Sequence, residues 1–545
     1  MQGTPGQPNT LGLIPSSKRA AQRHTAPMQD LLLALDLGTQ SVRALLFAPD
    51  GRLVARRQQL LTDYQRAEPG WMTHDGEAFW QASAACIRAL WAGPDAQDPS
   101  RVAGLAVTTQ RGSMLPVDAQ GAPLAPAIIW PDERLATRLP PVSLAWHTAF
   151  RVIGMRHTLA RFQRAAELNW WAEHQPEMHA RAHKFLLLSG LLHQRLTGRF
   201  VDSVGAQVAY LPFDYKRHTW CRAWDWPWQA LSVRPDQLPD LIPVGQPMGG
   251  LTPASALATG LPQGLPVIAS AADKACEVLG AGALQPHIGA LSYGTTATLN
   301  ITSPRYLESQ RFVPAYPAAL PGGFSVEEQI SRGYWLVSWF RDQFGHPEVA
   351  AAESLGIAPE RLFDELITQV PPGCEGLTLL PTWSPGVCIP GPEARGAIVG
   401  FGPQHTRAHL YRAILEGLAY ALREGRGRIE RASGVPLTEL RASGGGAQSD
   451  GALQLTADIF RLRVGRPHTH ETSGLGAAIN LAVGLGLHAN TPEAVAAMTR
   501  VQRWFEPQAE AADHYDRLFA DVYRPLYGRL RPVLRALKRL DTAPR

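Results

Sequence analysis

Residues 31–47 read LLLALDLGTQSVRALLF and carry the pattern on which the fold prediction rests. An apolar run over residues 31–35 ends at Asp36, small and polar residues surround Gly38, and a second apolar run begins at Val42. This order predicts a strand, a tight turn and a second strand. Glycine lets the backbone approach a ligand closely, and the amide groups of such a turn can face phosphate oxygens. For one turn of this kind, an ordinary hairpin with a polar tip is the favoured interpretation.

A second copy of the pattern lies at residues 289–301, which read GALSYGTTATLNI and again predict strand, Gly-Thr turn and strand. The repeat implies two domains of related topology. After the first hairpin, residues 53–61 predict a third strand, residues 75–91 a helix and residues 102–107 a short buried strand. Three strands followed by a helix and another strand predict an α/β fold with mixed sheets flanked by helices.

The composition excludes several classes of function. The 545 residues are too many for one core, so two or more domains are expected. Apolar content of 45% and charged content of 18% are typical of a folded, soluble protein. The formal charge of +5 comes from arginines spread along the chain, which form no cationic stripe for nucleic acid. Five cysteines without a CxxC pair indicate neither a disulfide framework nor a zinc site, and favour a cytoplasmic enzyme with reduced thiols.

The two ends of the chain differ from its middle. Residues 1–27 are polar and lack the apolar core of a secretory signal, so we expect a disordered leader, with Met28 as an alternative translation start. Residues 475–487 are too short to span a bilayer, so no membrane partner is expected. The sequence leaves the oligomeric state open, and a homodimer is compatible with it.

We expect an N-terminal domain over residues 28–283, a C-terminal domain over residues 284–510 and a docking helix over residues 511–545. Prolines at positions 525 and 532 predict kinks in that helix. Its predicted apolar docking face comprises Tyr515, Leu518, Phe519, Val522, Leu526, Leu530, Val533 and Leu537.

Two Gly-Thr hairpins facing each other across a cleft are typical of actin-like ATPases. The chain resembles the FGGY carbohydrate kinases over roughly residues 30–530. Five sequence blocks carry the resemblance in the expected order: LDLGTQSVRALLF, TTQRGSMLPVDAQGAPLAPAIIWPDER, ASAADKACEVLGAGAL, LSYGTTATLNI and ASGGGAQSDGALQLTADIF. Each block is a weak match alone, and the ordered set is specific. The resemblance implies two ribonuclease-H-like domains that close over a sugar and ATP with Mg²⁺.

The resemblance assigns residues to the nucleotide side of the cleft. Asp36 is implied to lie near Mg²⁺, which it would hold through water. The implied ATP-binding residues are Thr39, Gln40, Ser41 and Arg43 around the β- and γ-phosphates, Thr295 on the opposite side, Gly445 and Gly446 at the adenine, and Asp450 beside it. Two plainer interpretations stay open. Arg43 could form an ion pair at the strand end, and the glycine run could be a helix-entry turn or a flexible loop.

Asp273 matches the general base of the family, at the end of a predicted strand and before a helix. A carboxylate at such a point can accept the proton of a hydroxyl as the hydroxyl oxygen bonds to phosphorus. The alternative is a helix N-cap, because Asp is a favoured residue there. The residues alone do not separate cap from base, and the resemblance favours the base.

On the acceptor side, Gln110, Arg111 and Trp130 resemble the polyol-binding residues of glycerol kinases, and Asp273 would also contact the acceptor. The alternative for Arg111 is a buried structural arginine paired with Asp132.

Two positions depart from the glycerol kinase pattern. Gly112 stands where those enzymes have a glutamate, and Lys274 replaces the usual Gln or Asn after the base. Lys274 should favour the ionised carboxylate of Asp273 and could bind a hydroxyl or an acidic group of the acceptor. A surface lysine at a helix start is the alternative. These departures indicate an acceptor other than glycerol, such as a larger polyol, a ketose or a sugar acid.

The predicted function is therefore ATP-dependent phosphorylation of a small polyol, ketose or related sugar. No GxxxxGK[ST] motif is present in the sequence, which disfavours P-loop kinases. Two other classes stay open. One is an actin-like chaperone or filament ATPase, and the other is a catalytically silent relative that senses a sugar.

Overall fold

The computed structural model describes residues 29–93, 95–357, 360–386 and 390–541. The predicted leader, Met28 and residues 542–545 of the predicted docking helix lie outside the described residues.

The strands of the described ranges run as follows: β1 Leu31–Leu37, β2 Ser41–Phe47, β3 Leu53–Leu60, β4 Thr73–His74, β5 Val102–Thr109, β6 Met114–Val117, β7 Ala127–Ile128, β8 Lys184–Leu187, β9 Val201–Ser203, β10 Phe213–Asp214, β11 Thr219–Trp220, β12 Asp240–Ile242, β13 Pro247–Gly250, β14 Pro266–Ile268, β15 Ile288–Tyr293, β16 Ala297–Ser303, β17 Tyr316–Pro317, β18 Phe324–Ile330, β19 Thr378–Leu380, β20 Ala397–Val399, β21 Glu439–Ser443, β22 Arg463–Pro467 and β23 Val501–Phe505.

The α-helices of the same ranges are α1 Gly76–Arg88, α2 Leu144–Val152, α3 Arg156–Ala165, α4 Glu167–His174, α5 Pro176–Arg181, α6 Leu188–Thr197, α7 Trp226–Ala230, α8 Pro253–Thr259, α9 Asp273–Gly280, α10 Trp335–Phe344, α11 His346–Leu355, α12 Glu360–Thr368, α13 Arg407–Ser433, α14 Asp450–Phe460, α15 Thr472–Gly484, α16 Thr491–Met498, α17 Ala509–Leu518 and α18 Arg524–Asp541.

The largest sheet of the N-terminal half, by which we mean the described residues up to 283, has the order β13-β14-β5-β1-β2-β3. The predicted first hairpin is confirmed, because β1 pairs with β2 antiparallel and with β5 parallel. Every residue of β1 is buried, as expected for a strand that is covered on both faces. Pairing places Asp36 opposite Arg43, at the end of the sheet where β1 turns into β2.

The C-terminal half, residues from 284 onward, repeats this arrangement in a sheet of order β17-β18-β16-β15-β21-β22-β23. Strand β15 pairs with β16 antiparallel and with β21 parallel, as β1 does with β2 and β5. The internal repeat predicted from the two Gly-Thr hairpins is therefore confirmed. Both halves have mixed sheets flanked by helices, as predicted.

Helix α15 joins the two halves by packing on β1 and on α9. The helices approach closely because glycines face backbone. A Cβ added at Gly280 would lie 2.0 Å from the carbonyl oxygen of Thr472, and one at Gly476 would lie 1.9 Å from that of Cys276. Larger residues at either position would force α9, which begins at Asp273, away from α15. None of the helices within the described ranges combines the length and hydropathy needed to cross a bilayer.

The C-terminal helical segment is less regular than predicted. A π-helical turn over Phe519–Tyr523 separates α17 from α18. Pro525 lacks an N–H for the carbonyl four residues earlier, which fits a wider turn at this point. The turn shifts the buried face by one residue, so the predicted docking face is wrong at Val522, Val533 and Leu537. Tyr523 and Leu534 are buried, whereas Val522, Val533 and Leu537 are exposed.

Candidate active site

Asp273 is the first residue of α9, which follows β14 across a short connection. The N-cap position belongs to Ala272, so the prediction of Asp273 as an N-cap is wrong. Its Oδ1 instead accepts a hydrogen bond of 2.7 Å from the amide of Lys274. Burial raises the pKa of the Asp273 carboxyl above its usual value, although Lys274 and Arg111 oppose the rise. The carboxylate is thus held in place, partly buried and close to two cations.

The first hairpin buries Asp36 with both carboxylate oxygens unpartnered by hydrogen bonds within the described residues. Burial raises the pKa of Asp36 to about 6, Arg43 opposes this rise, and Asp273 and Glu471 add to it. A guanidinium nitrogen of Arg43 lies 2.7 Å from Asp36, and another lies 2.8 Å from Glu471. The ion pair considered for Arg43 is therefore present, and its contact with phosphate stays a prediction.

Thr39, assigned to the nucleotide side, lies among the acceptor-side residues. Its hydroxyl donates to Gln110 Oε1 at 2.6 Å and accepts from Trp130 Nε1 at 2.8 Å. Gln110 is buried, and its Nε2 has no hydrogen-bond partner in the described structure. Trp130 is 46% exposed. The hairpin tip thus orients the Trp130 indole, whose N–H it accepts, and the Gln110 amide, whose free N–H groups could meet a hydroxyl-bearing ligand.

The neighbouring hairpin residues differ in environment. The Ser41 hydroxyl accepts from Gln58 Nε2 at 3.0 Å, and Gln40 is exposed. Their contacts with phosphate stay predictions.

Arg111 reaches from the N-terminal to the C-terminal half. Its guanidinium lies 3.1 Å from the Glu327 carboxylate and 5.3 Å from the centre of the Tyr316 ring. The alternative pairing with Asp132 is wrong, because Asp132 is held by Arg134 at 2.8 Å. Arg111 is therefore a partly buried charge between the halves and close to Asp273.

Lys274 is not the surface lysine that was considered. Its ammonium lies 2.8 Å from the Glu277 carboxylate and 2.5 Å from the Ser292 hydroxyl. Ser292 belongs to β15 of the other half. A contact between Lys274 and the acceptor stays a prediction.

The second hairpin and the glycine run adjoin each other. The carbonyl of Thr295 accepts from the amides of Gly333 at 2.9 Å and Trp335 at 3.3 Å. A Cβ at Gly445 would meet nothing within 4 Å, whereas one at Gly446 would lie 2.2 Å from the Tyr334 ring. Gly445 therefore faces open space, and Gly446 is required by its packing on a tyrosine of this chain.

Asp450 begins α14 and forms ion pairs with Arg466, at 2.6 Å, and with Arg503. Ser449 is the cap of that helix. The carboxylate is thus engaged by two arginines, and its proximity to adenine stays a prediction.

Two α/β halves that repeat one hairpin define the class of actin-like, ribonuclease-H-like two-domain folds. Residues 31–280 match the model of the FGGY family of carbohydrate kinases, N-terminal domain, and residues 289–485 match that of its C-terminal domain. The chain belongs to the FGGY family of carbohydrate kinases.

Individual relatives cover nearly the whole chain. It is 28% identical to the sugar kinase YgcE of Escherichia coli strain K12, over 91% of this chain and 93% of that one. It is 30% identical to a glycerol kinase of Dechloromonas aromatica, over 91% of this chain and 98% of that one. A solved xylulose kinase from Rhodospirillum rubrum superposes with a TM-score of 0.76 at 25% identity, covering 93% of this chain and 100% of that one. The chain is a carbohydrate kinase, and ATP-dependent phosphorylation of a sugar or polyol is its activity.

Sequence reasoning missed the acids that hold the predicted cations. Glu327 binds Arg111, Glu471 binds Arg43, and Glu277 binds Lys274. Only Glu277 had a visible signal, because it lies three residues after Lys274 and thus on the same face of α9.

Proposed function

We propose that the chain transfers the γ-phosphoryl group of ATP to a hydroxyl of a small neutral polyol or ketose, with Asp273 as the general base. The observation that carries the proposal is the position of Asp273, partly buried between the halves and beside Arg111. A carboxylate placed there can accept the hydroxyl proton while the hydroxyl oxygen attacks the γ-phosphorus in line.

The charges around Asp273 favour a neutral acceptor over a sugar acid. Arg111 is neutralised by Glu327, and Lys274 by Glu277. Asp36 adds a further carboxylate. A carboxylate on the acceptor would therefore be repelled by these acids, and neither Arg111 nor Lys274 would be free to bind it. Hydroxyl groups, in contrast, suit the unpartnered Gln110 Nε2 and the rim formed by Trp130.

The hairpin residues fit a nucleotide with Mg²⁺. The Asp36 carboxylate pairs with Arg43 through Oδ2, and its buried Oδ1 has no partner among the described residues, which suits a cation that keeps its water ligands. Mg²⁺ bound there would supply positive charge to the phosphate oxygens during transfer. Arg43 would hold the β- and γ-phosphates, Thr295 would face them from the other half, and Gly445 offers open space for the base.

An ADP-release assay tests the proposal. The purified chain would receive ATP, Mg²⁺ and, in turn, neutral polyols, ketoses and the sugar acids of matching length. We expect a neutral acceptor to stimulate ADP release well above the rate without acceptor, and the matched sugar acid to do so weakly. Stimulation by a sugar acid alone would contradict the neutral acceptor. Nucleotide binding without stimulation by any compound would favour a silent sensor.

A further inference from the structure

The proposed base and the two predicted nucleotide loops are joined by a buried polar cluster made of Lys274, Glu277, Ser292 and Ser443, which we call the serine clasp. The Glu277 carboxylate accepts hydrogen bonds from Ser292 Oγ at 2.8 Å and from Ser443 Oγ at 2.7 Å. Lys274 lies 2.8 Å from the same carboxylate. Glu277 and both serines are buried. The two hydrogen bonds from the serines to Glu277 are therefore shielded from water.

The clasp spans both halves of the molecule. Glu277 lies four residues after Asp273, so both carboxylates share one face of α9. Ser292 and Ser443 are paired in register on the parallel strands β15 and β21. A single carboxylate thus holds the base helix against two adjacent strands of the other half.

Those strands end where the nucleotide loops begin. Ser292 is followed after one residue by the Gly-Thr turn at Gly294, and Ser443 is followed directly by Gly444. Gly444 has a φ of +84°, and a Cβ there would lie 2.9 Å from the Tyr293 backbone. The two loops therefore pack on each other, and a shift of either loop would displace the serine that precedes it.

Glu277 is ionised in this setting. Burial pushes the pKa of its carboxyl upward, but Lys274 and the hydroxyls of Ser443 and Ser292 outweigh burial, so the pKa lies below its usual value. Hydrogen bonds to a buried charge are stronger than neutral ones and fix geometry more tightly. Loss of one serine hydroxyl would leave the carboxylate underbonded and free to shift with α9.

We propose that the serine clasp makes Glu277 a positioning residue, which transmits occupancy of the nucleotide loops to the helix that carries Asp273. The inference rests on the proposed function, because it takes residues 294–295 and 444–446 as the nucleotide loops. Nucleotide binding orders the two loops, the serines hold Glu277, and α9 is fixed with its base facing the acceptor. The base is then aligned with the acceptor hydroxyl only when nucleotide is bound.

Hydrogen exchange with the non-hydrolysable analogue AMP-PNP and Mg²⁺ tests the clasp without knowledge of the acceptor. In the wild-type chain, we expect the analogue to slow exchange both in residues 444–448 and in α9. In Ser443→Ala, the loop should remain protected while the protection of α9 falls by about tenfold, as for a lost hydrogen bond to a charge. Ser292→Ala should give the same result from the other strand, and it replaces Ser443→Ala if that variant does not fold.

Ser83→Ala is the matched control, because Ser83 is fully buried in α1 and its hydroxyl donates to the Phe79 carbonyl of the same helix at 2.7 Å. It should keep the wild-type protection of α9. The inference would be overturned if both clasp variants kept the wild-type protection of α9. It would also be overturned if AMP-PNP did not slow hydrogen exchange in α9 of the wild-type chain. Absence of protection in residues 444–448 would instead overturn the proposed nucleotide site, and the clasp with it.

Discussion

Replacement of Asp273 by Asn separates catalysis from folding at the proposed base. Asn is close in size and retains an oxygen for the 2.7 Å hydrogen bond from the Lys274 amide. It cannot accept a proton. A positioned general base contributes about 10²–10⁴-fold, equivalent to about 3–5 kcal/mol of transition-state stabilisation, so kcat should fall by that factor. Burial disfavours the charged form of Asp273, so a neutral Asn should not lower the free energy of unfolding.

The assay is steady-state ADP release with the best acceptor, accompanied by AMP-PNP titration and urea unfolding. We expect kcat to fall at unchanged AMP-PNP affinity. Asp75→Asn is the matched control, because Asp75 caps α1 and Asn caps equally well. More than a tenth of the wild-type kcat remaining in Asp273→Asn would refute the base assignment.

The pH profile provides a second check on the same residue. The base must be ionised, so the wild-type rate should fall as the pH drops through the pKa of Asp273. Because that pKa is raised, the fall should begin at a higher pH than for an ordinary aspartate. If the residual activity of Asp273→Asn showed the same fall at low pH as the wild type, protonation of Asp273 would not be the cause of that fall.

Three further predictions concern stability and binding. Asp36→Asn should raise the free energy of unfolding at pH 7 by up to about 3 kcal/mol and should not raise it below pH 4. The reason is that the pKa of the carboxyl is about 6 in the native state and 3.8 in the unfolded state, so its ionisation destabilises the fold as the pH rises through this interval. Urea unfolding at both pH values checks this. Arg111→Ala should raise the acceptor KM by about tenfold or more and leave ATP affinity nearly unchanged. Glu327→Gln, at the ion-pair partner, is the control. Equal losses of acceptor binding and ATP binding in Arg111→Ala would indicate a structural arginine. Tyr515→Phe should lower the free energy of unfolding by about 1–3 kcal/mol, because the buried Glu416 loses a donor at 2.7 Å; an unchanged urea midpoint would contradict this.

The sequence by itself determined the two hairpins, the mixed sheets and the family. These features are local, because apolar runs, a glycine at a turn and motifs in a fixed order are visible in the sequence without knowledge of the tertiary packing. The Asp36 and Asp273 positions followed from the same motifs, because Asp36 lies near the end of β1 and Asp273 begins the helix that follows β14. The first hairpin and its repeat therefore predicted where both halves would turn toward each other.

Only the tertiary structure decided which charges meet. Arg43 and Glu471 are 428 residues apart, and no local pattern links them. The alternative partner that the sequence offers for Arg111 is Asp132, yet Arg111 pairs with Glu327 on the facing half. Long-range partners depend on how the two sheets and α15 pack, which local propensity does not encode.

The docking face of the C-terminal helices shows the same limit. A regular helical period placed Val522 and Val533 inside, but one π turn moved Tyr523 and Leu534 there instead. The period is a property of the sequence, whereas the inserted residue depends on the local backbone that Pro525 and the packed core permit. The sequence therefore determined the chemistry of the chain, and the fold determined which of its charged and apolar groups come into contact, because those contacts join segments that are far apart in the chain.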